Sequence, residues 1–337
     1  MEDITVCKTL VGVSLASITL GLSYLGSHYA AKRFHDYLNQ LRKKIRKKWK
    51  HNPNIEQLDV KCENIIPLAG YENIQFFVKV IASEKFAKSR PSEPLVRKAQ
   101  KFDPFAPENC EKLYIENLSS THALLFNKYP LVPFHVLIVT KKFEKQMSLL
   151  GSADFEAALW VMKALDCFVF FNGGLNAGAS QEHKHLQAIP YNSFPNQRIP
   201  LDALIEATKD GSEVGPEGVE YTMIPPFKFK HVLCKFKPNI TFGLSYWTVS
   251  KRAELVTKIY KSCLKRLQDE DLQTGYNFIL TKYWMFMVLR KCETAMDMVK
   301  VNAVGFTGSF AVRSDEEYEF VRKQDPINIL HSVTYPL

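Results

Sequence analysis

The stretch Gly178-Ala-Ser-Gln-Glu-His183-Lys-His185-Leu-Gln187, GASQEHKHLQ, sets two histidines and a glutamine at alternate positions. Successive side chains of a β-strand point to opposite faces. His183, His185 and Gln187 therefore share one face, and Lys184 and Leu186 the other. Two imidazoles and a carboxamide stand in a row on a rigid element. Immediately upstream, Gly178, Ala179, Ser180 and Gln181 offer small side chains, backbone N–H groups, a hydroxyl and an amide, so a phosphate fits there without a bulky neighbour.

A neutral imidazole is a nucleophile toward phosphorus, and the phosphoramidate it forms passes its group to a second acceptor. His185 is the natural nucleophile where His183 and backbone carbonyls fix its tautomer. Gln187 then donates a hydrogen bond to a phosphate oxygen without supplying a proton. Two other readings of the pattern stand beside this one: a metal pair, which lacks a third ligand at motif spacing, and histidines that are merely packed or solvated. Neither GxxxxGK[ST] nor GxGxxG occurs, which leaves a P-loop and a dinucleotide fingerprint without support. His122, His135 and His231 fall in apolar or mixed segments and read as structural.

Outward from this stretch, apolar residues Phe155, Leu159, Met162, Leu165 and Val169 recur at helical spacing behind Ser152, predicting a helix that ends in Asn172-Gly173-Gly174. A second helix is predicted over Lys251–Leu267. Strands are predicted over Ile74–Ile81, His122–Phe126, Phe134–Thr140, Tyr276–Thr281, Trp284–Leu289 and Ala303–Val312, and residues 209–220 read as a surface loop. No internal sequence repeat is visible. The expected class is α+β, built on an antiparallel sheet with flanking helices.

The chain has 337 residues, 46% hydrophobic and 12% aromatic, with a formal net charge of +9, which excludes disordered, collagenous and polytopic membrane classes. Residues 1–51 hold ten Lys/Arg against three Asp/Glu, so the remainder is nearly neutral and no specific nucleic-acid partner is expected. Thr9 to Ser27 carries no charge and is long enough to cross a bilayer, and the basic run Arg42–Lys50 follows it. These features predict two parts. Residues 1–51 form a single membrane-anchor helix (9–27) plus a basic juxtamembrane segment, and residues 52–337 form a catalytic domain facing the cytosol, at the endoplasmic reticulum or the mitochondrial outer membrane. A buried N-terminal helix or an import sequence is the alternative. Seven widely spaced cysteines without CxxC point to reduced thiols rather than a disulfide framework.

The segment from Asn172 to Gln187 resembles the signature of the ATP adenylyltransferases, also called diadenosine tetraphosphate phosphorylases, in the histidine-triad and galactose-1-phosphate-uridylyltransferase-like superfamily. The resemblance extends to FDPFAP at 102–107, LLFNKYPLVPFHVLIVT at 124–140, YNFILTKYWMFMVLR at 276–290 and GFTGSFAV at 305–312, about residues 60–335 in all. It implies a histidine-triad-like antiparallel sheet and transfer of a nucleotidyl group through a covalent nucleotidyl-histidine.

On that likeness His185 matches the nucleophile and His183 its supporting histidine. Gln187 stands where related hydrolases have a third histidine, which points to transferase chemistry. Asn172, Gly178, Ala179, Ser180 and Gln181 match phosphate-binding positions, Asn127 and Lys128 a nucleotide-contacting pair, and Lys88 a lysine near the polyphosphate. Asn277, Thr281 and Met285 match more distantly. The implied reaction is phosphorolysis of diadenosine tetraphosphate (Ap4A) by inorganic phosphate to ADP and ATP, with a divalent cation such as Mg²⁺ riding on the polyphosphate and no dedicated metal site. A related phosphorylase or nucleotidyltransferase acting on another nucleotide or nucleotide sugar, or a membrane-tethered nucleotide-binding scaffold without catalysis, are the alternatives. Glu182 and Leu289 depart from the family pattern.

Overall fold

In the computed structural model of this chain, residues 32, 35–56, 59–68, 71–82, 102–208, 213–215, 218–236, 247–267 and 275–337 are described. Helix α1 spans 35–50. It is followed by β1 (Asp59–Leu68), β2 (Tyr71–Ala82), β3 (Tyr114–Asn117), β4 (His122–Phe126), β5 (Val136–Thr140), α2 (Ser152–Leu165), β6 (Cys167–Gly173), β7 (His185–Pro190) and α3 (Pro200–Ala207). The second half holds β8 (Glu213–Val214), β9 (Glu220–Thr222), β10 (His231–Lys235), α4 (Trp247–Arg266), β11 (Tyr276–Leu280) and β12 (Trp284–Leu289). The chain ends in a small hairpin β13 (Thr294–Ala295) and β14 (Val299–Lys300), then α5 (Ala303–Phe306), β15 (Ser309–Val312), α6 (Asp315–Lys323) and α7 (Pro326–Ser332).

Ten strands form one sheet in the order β3-β4-β5-β7-β6-β11-β12-β10-β9-β8, and every pair in it is antiparallel. The order contains a duplication. A three-strand meander, a helix and a two-strand hairpin (β3, β4, β5, α2, β6, β7) recur as β8, β9, β10, α4, β11, β12, and the halves join where β6 pairs β11. The registers are consistent with a pseudo-twofold axis at the Phe170–Ile279 pair. The same register that sets His185 opposite Val139 sets Trp284 opposite Lys235, so Trp284 is the second half's counterpart of His185.

One face of the sheet is covered by α1, α2 and α4. Leu41 and Ile45 of α1, Phe155 and Leu159 of α2 and Val256 and Ile259 of α4 pack there with Ile138, Leu186, Phe171 and Phe278. The other face meets the three-stranded sheet β1-β2-β15, with Phe76, Val78 and Phe310 against Phe170, Ile189 and Ile279. Residues of α3 and α7 complete that second core.

The antiparallel sheet with flanking helices agrees with the expected α+β class, but the expected loop 209–220 supplies the end strand β8 (Glu213–Val214) and the first residue of β9, and the elements differ from the sequence reading at three further places. Helix α2 stops at Leu165, because Asp166 takes a left-handed conformation (φ 48°), and Cys167–Gly173 is a strand. Its run CFVFF fits either period, and pairing on both sides with β7 and β11 decides for the strand. Gly151 rather than Ser152 is the N-cap of α2, its N–H donating to Asp154 Oδ2 at 2.7 Å. Between Ala303 and Val312 the expected strand is broken by the one-turn helix α5, whose N-cap Asn302 accepts from the Val304 N–H at 2.9 Å, and by Gly308 at φ 92°.

The segment 9–27 lies outside the described residues, and among those described no helix is long and apolar enough to cross a membrane. A boundary at 51/52 does not separate the basic run from the body. Arg42 Nε donates to Ala164 O at 2.7 Å, Lys48 Nζ donates to Tyr114 O at 2.9 Å, and Trp49 packs 5.5 Å from Phe126. The basic helix presents Leu38, Leu41 and Ile45 to the core, so amphipathic packing holds it on the sheet. Cys110, Cys167, Cys234, Cys263 and Cys292 are free thiols.

Candidate active site

Strand β7 starts at His185, and His183 joins the sheet edge through one bridge to Lys145. Side chains alternate as the sequence requires. Leu186 and Ala188 enter the helix-side core, while Ile189 lies in the opposite core, and Gln187 meets the His135 ring. Lys184, between the histidines, is buried behind the strand, where its Nζ donates to Asp154 Oδ2 at 2.8 Å and to Leu149 O at 2.9 Å. His122 Nε2 lies 3.1 Å from the other Asp154 oxygen. Burial pushes the Asp154 carboxyl up, but its bonds to His122, Lys184 and the Gly151 N–H outweigh this and hold it below the usual carboxylate range.

His185 is 3% exposed, and its Nδ1–H donates to the His183 carbonyl at 2.9 Å. That bond leaves the lone pair on Nε2. Burial drives its pKa down to about 4, partly opposed by the bond to the carbonyl and reinforced by the neighbouring His183. The peptide of His185 is clamped on both sides by Gln146, which accepts from its N–H at 2.8 Å and donates to its carbonyl at 3.1 Å. His183 is equally enclosed, with Nδ1 2.8 Å from Asp103 Oδ2 and Nε2 2.7 Å from the Thr140 carbonyl. Phe105 lies 5.0 Å from the His185 ring.

Beside this strand opens a cavity of about 440 Å³ whose lining includes Gln187, Asn172, Gly178, Ser180, Gln181 and Asn127. His183 and His185 are not among its lining residues, although Gln187 on the same strand is. His135 donates from Nε2 to Gln187 Oε1 at 2.9 Å, which turns the Gln187 amide N–H₂ away from His135. Burial lowers the His135 pKa to about 4. Asn172 Oδ1 accepts from Asn277 Nδ2 and from the Ala303 N–H, each at 2.9 Å, tying β6 to β11 and to α5. Gly178 has φ 84°, and a Cβ there would come 2.9 Å from Asn302 Cβ. Across the cavity stand Lys79, Lys300 and Arg313, and Glu293 is its one acidic lining residue among those described.

The remaining sequence candidates scatter. Ala179 is buried, its N–H bonded to Gly174 O at 3.1 Å. Lys128 is turned outward, 3.4 Å from Glu56 Oε1. Asn277 lies beneath the cavity, bonded to Asn172, to Ala177 O at 2.8 Å and to Arg290. Thr281 and Met285 are not at the cavity. Thr281 closes the β11–β12 turn by accepting from the Trp284 N–H at 3.0 Å, and the pseudo-twofold makes it the counterpart of Asn172. Met285 is fully buried on the helix side. Lys88 lies outside the described residues. Glu182 is exposed, so water takes up the charge that departs from the family pattern, and Leu289 is simply core.

Sequence reasoning missed Lys79, His135, Gln146 and Asp103. Lys79, a lone cation in the apolar strand Ile74–Ile81, was the one local signal.

The Ap4A phosphorylase N-terminal domain profile matches residues 32–207, which include β3 to β7 of the sheet, and the ATP adenylyltransferase C-terminal domain profile matches residues 225–336, which include β10 to β12. The curated Saccharomyces cerevisiae diadenosine 5',5'''-P1,P4-tetraphosphate phosphorylase 2 is 28% identical over 64% of this chain and 70% of its own length. Protein APA1 of the same organism is 26% identical over 62% and 67%. The solved yeast Ap4A phosphorylase Apa2 in complex with AMP shares the fold with a TM-score of 0.67 at 24% identity, over 88% of this chain and 96% of that one. Its complex with Ap4A gives 0.65 at 23%, over 88% and 97%. With more than half of its length matched by the first profile alone, the chain belongs to the Ap4A phosphorylase family.

Proposed function

We propose that this protein phosphorolyses Ap4A to ADP and ATP through a nucleotidyl group carried on His185. The single observation that carries this reading is the enforced tautomer of His185: Nδ1–H is committed to the His183 carbonyl, and a neutral ring keeps its lone pair on Nε2. Nε2 attacks the α-phosphorus of Ap4A, an N–P bond forms, and the bond to the bridging oxygen breaks so that ATP leaves. An oxygen of inorganic phosphate then attacks the same phosphorus, the N–P bond breaks, and AMP departs joined to the phosphate as ADP.

Gln187, its oxygen occupied by His135, has its amide N–H₂ to donate to a phosphoryl oxygen as charge develops. Gly178, Ser180 and Gln181 form the phosphate-side wall, and Lys79, Lys300 and Arg313 offset polyphosphate charge. Asn127 lines the same cavity and is the candidate for nucleoside contact. Among the described residues no group of three or more His, Cys, Asp or Glu side chains could hold a metal ion. A divalent cation would accompany the substrate on polyphosphate oxygens, and no step is assigned to it. The test supplies Ap4A and phosphate and follows both nucleotides: ADP and ATP in equal amounts support the reading, and absent or AMP-only products contradict it.

We also propose that residues 9–27 tether this catalytic body to a membrane. The solvent side of α1 supports the reading, since Lys43, Arg46, Lys47 and Lys50 are exposed at helical spacing, next to that segment in the chain. Alkaline extraction of a reporter fused behind residues 1–34 should leave it in the pellet, and release into the supernatant would contradict the tether.

A further inference from the structure

We propose that Asp103 is a positioning residue that holds His183 as a donor from both ring nitrogens, and so keeps a positive charge behind the nucleophile. The proposal rests on His185 being that nucleophile. The Asp103 carboxylate is placed by its own turn, since Oδ1 accepts from the Phe105 N–H at 2.9 Å and the Asp103 carbonyl accepts from Asn109 Nδ2 at 2.7 Å. That turn accounts for one carboxylate oxygen. The other reaches a residue 80 positions away, His183 Nδ1, at 2.8 Å.

On the far side of the ring the Thr140 carbonyl lies 2.7 Å from Nε2, and Thr140 Oγ1 lies 3.1 Å from it. A neutral imidazole has one N–H and one lone pair, so between a carboxylate and a carbonyl it would set a lone pair against an oxygen. The doubly protonated ring donates to both. The His183 ring is 3% exposed and Phe143 packs 5.2 Å from it, so water does not replace either acceptor. A cation here favours an unprotonated His185 and adds positive charge beside the phosphoryl group as its oxygens gain negative charge.

The Asp103→Asn substitution separates charge from geometry. Its amide N–H₂ donates to a His183 Nδ1 lone pair, Nε2–H still donates to Thr140, and both contacts survive around a neutral ring. Single-turnover transfer from Ap4A should slow by about tenfold or more, with the half-saturating Ap4A concentration changed by less than about threefold. Nitrogen-15 spectra of histidine-labelled wild type, assigned with His183→Gln, should show both His183 nitrogens protonated, and Asp103→Asn should show one. Transfer at the wild-type rate in Asp103→Asn, or one unprotonated His183 nitrogen in wild type, overturns the proposal. If wild type leaves Ap4A untouched, the functional reading fails, while the spectrum still decides the role of Asp103. The wild-type spectrum also decides if Asp103→Asn does not fold.

Discussion

At the scale of single residues, the site works by removing choices from two rings and an amide. His185 has one tautomer because the His183 carbonyl takes its Nδ1–H, and Gln187 has one amide orientation because His135 takes its oxygen. A His135→Phe substitution keeps the volume and the packing against Phe170, but frees the Gln187 amide to rotate. We expect kcat for Ap4A phosphorolysis to fall about tenfold, the worth of one oriented hydrogen bond, with thermal stability near wild type. An unchanged kcat would show that Gln187 needs no such partner. His183, His185 and Gln187 were legible in the sequence, because strand alternation is a local rule. Asp103, Gln146 and His135 were not, because each meets the histidine strand only through tertiary contacts between positions 39 to 80 apart.

At the scale of elements, α1 shows how charge conceals packing. The run from Arg42 to Lys50 reads as a cationic flank, yet Leu38, Leu41, Ile45 and Trp49 recur at three and four residues along it. That stripe is the buried one, and the lysines between ride on its outer side. Ile45 is fully buried. Ile45→Ala should therefore lower the free energy of unfolding in urea by about 2–5 kcal/mol, the range for deleting a packed aliphatic side chain. A loss below about 0.5 kcal/mol would return α1 to the status of a loosely attached flank. The helix over 247–266 and the strands β4, β5, β11 and β12 were legible from period and turn residues. Strand β6 was not, because its apolar run continues the helical spacing of α2 until Asp166 turns the chain.

At the scale of the whole molecule, the duplication explains why one half carries chemistry. Both halves have the same strand order, but Gly174–Lys184 links β6 to β7 in the first, and only Thr281–Tyr283 links β11 to β12 in the second. The longer link carries Gly178, Ser180 and Gln181, the proposed phosphate-side wall, and Trp284 stands in the second half where the proposed nucleophile stands in the first. No sequence repeat marks the relation, because a fold of this kind constrains apolar pattern more than identity.

Among the buried histidines, His135, His185 and His231 each have a pKa lowered from 6.5 to about 4 by burial. A group with a depressed folded-state pKa binds its proton more readily when unfolded. Stability is then full above about pH 6.5 and falls as pH drops toward 4, by on the order of 3 kcal/mol per histidine. The urea midpoint should drop steadily as the pH falls from about 6.5 to about 4.5. A midpoint insensitive to acid in that window would mean that these rings are accessible to protons in the folded state.

The central claim is that the nucleotidyl group rides on His185, and it is tested most directly by trapping that bond. Protein mixed with α-labelled Ap4A in the absence of phosphate, quenched in base and digested, should yield one labelled AMP adduct on the peptide that contains His185. The label should be acid-labile, should leave as ADP when phosphate is added before the quench, and should be missing from His185→Ala. Turnover of Ap4A without such an adduct, or an adduct on another residue, would contradict the account.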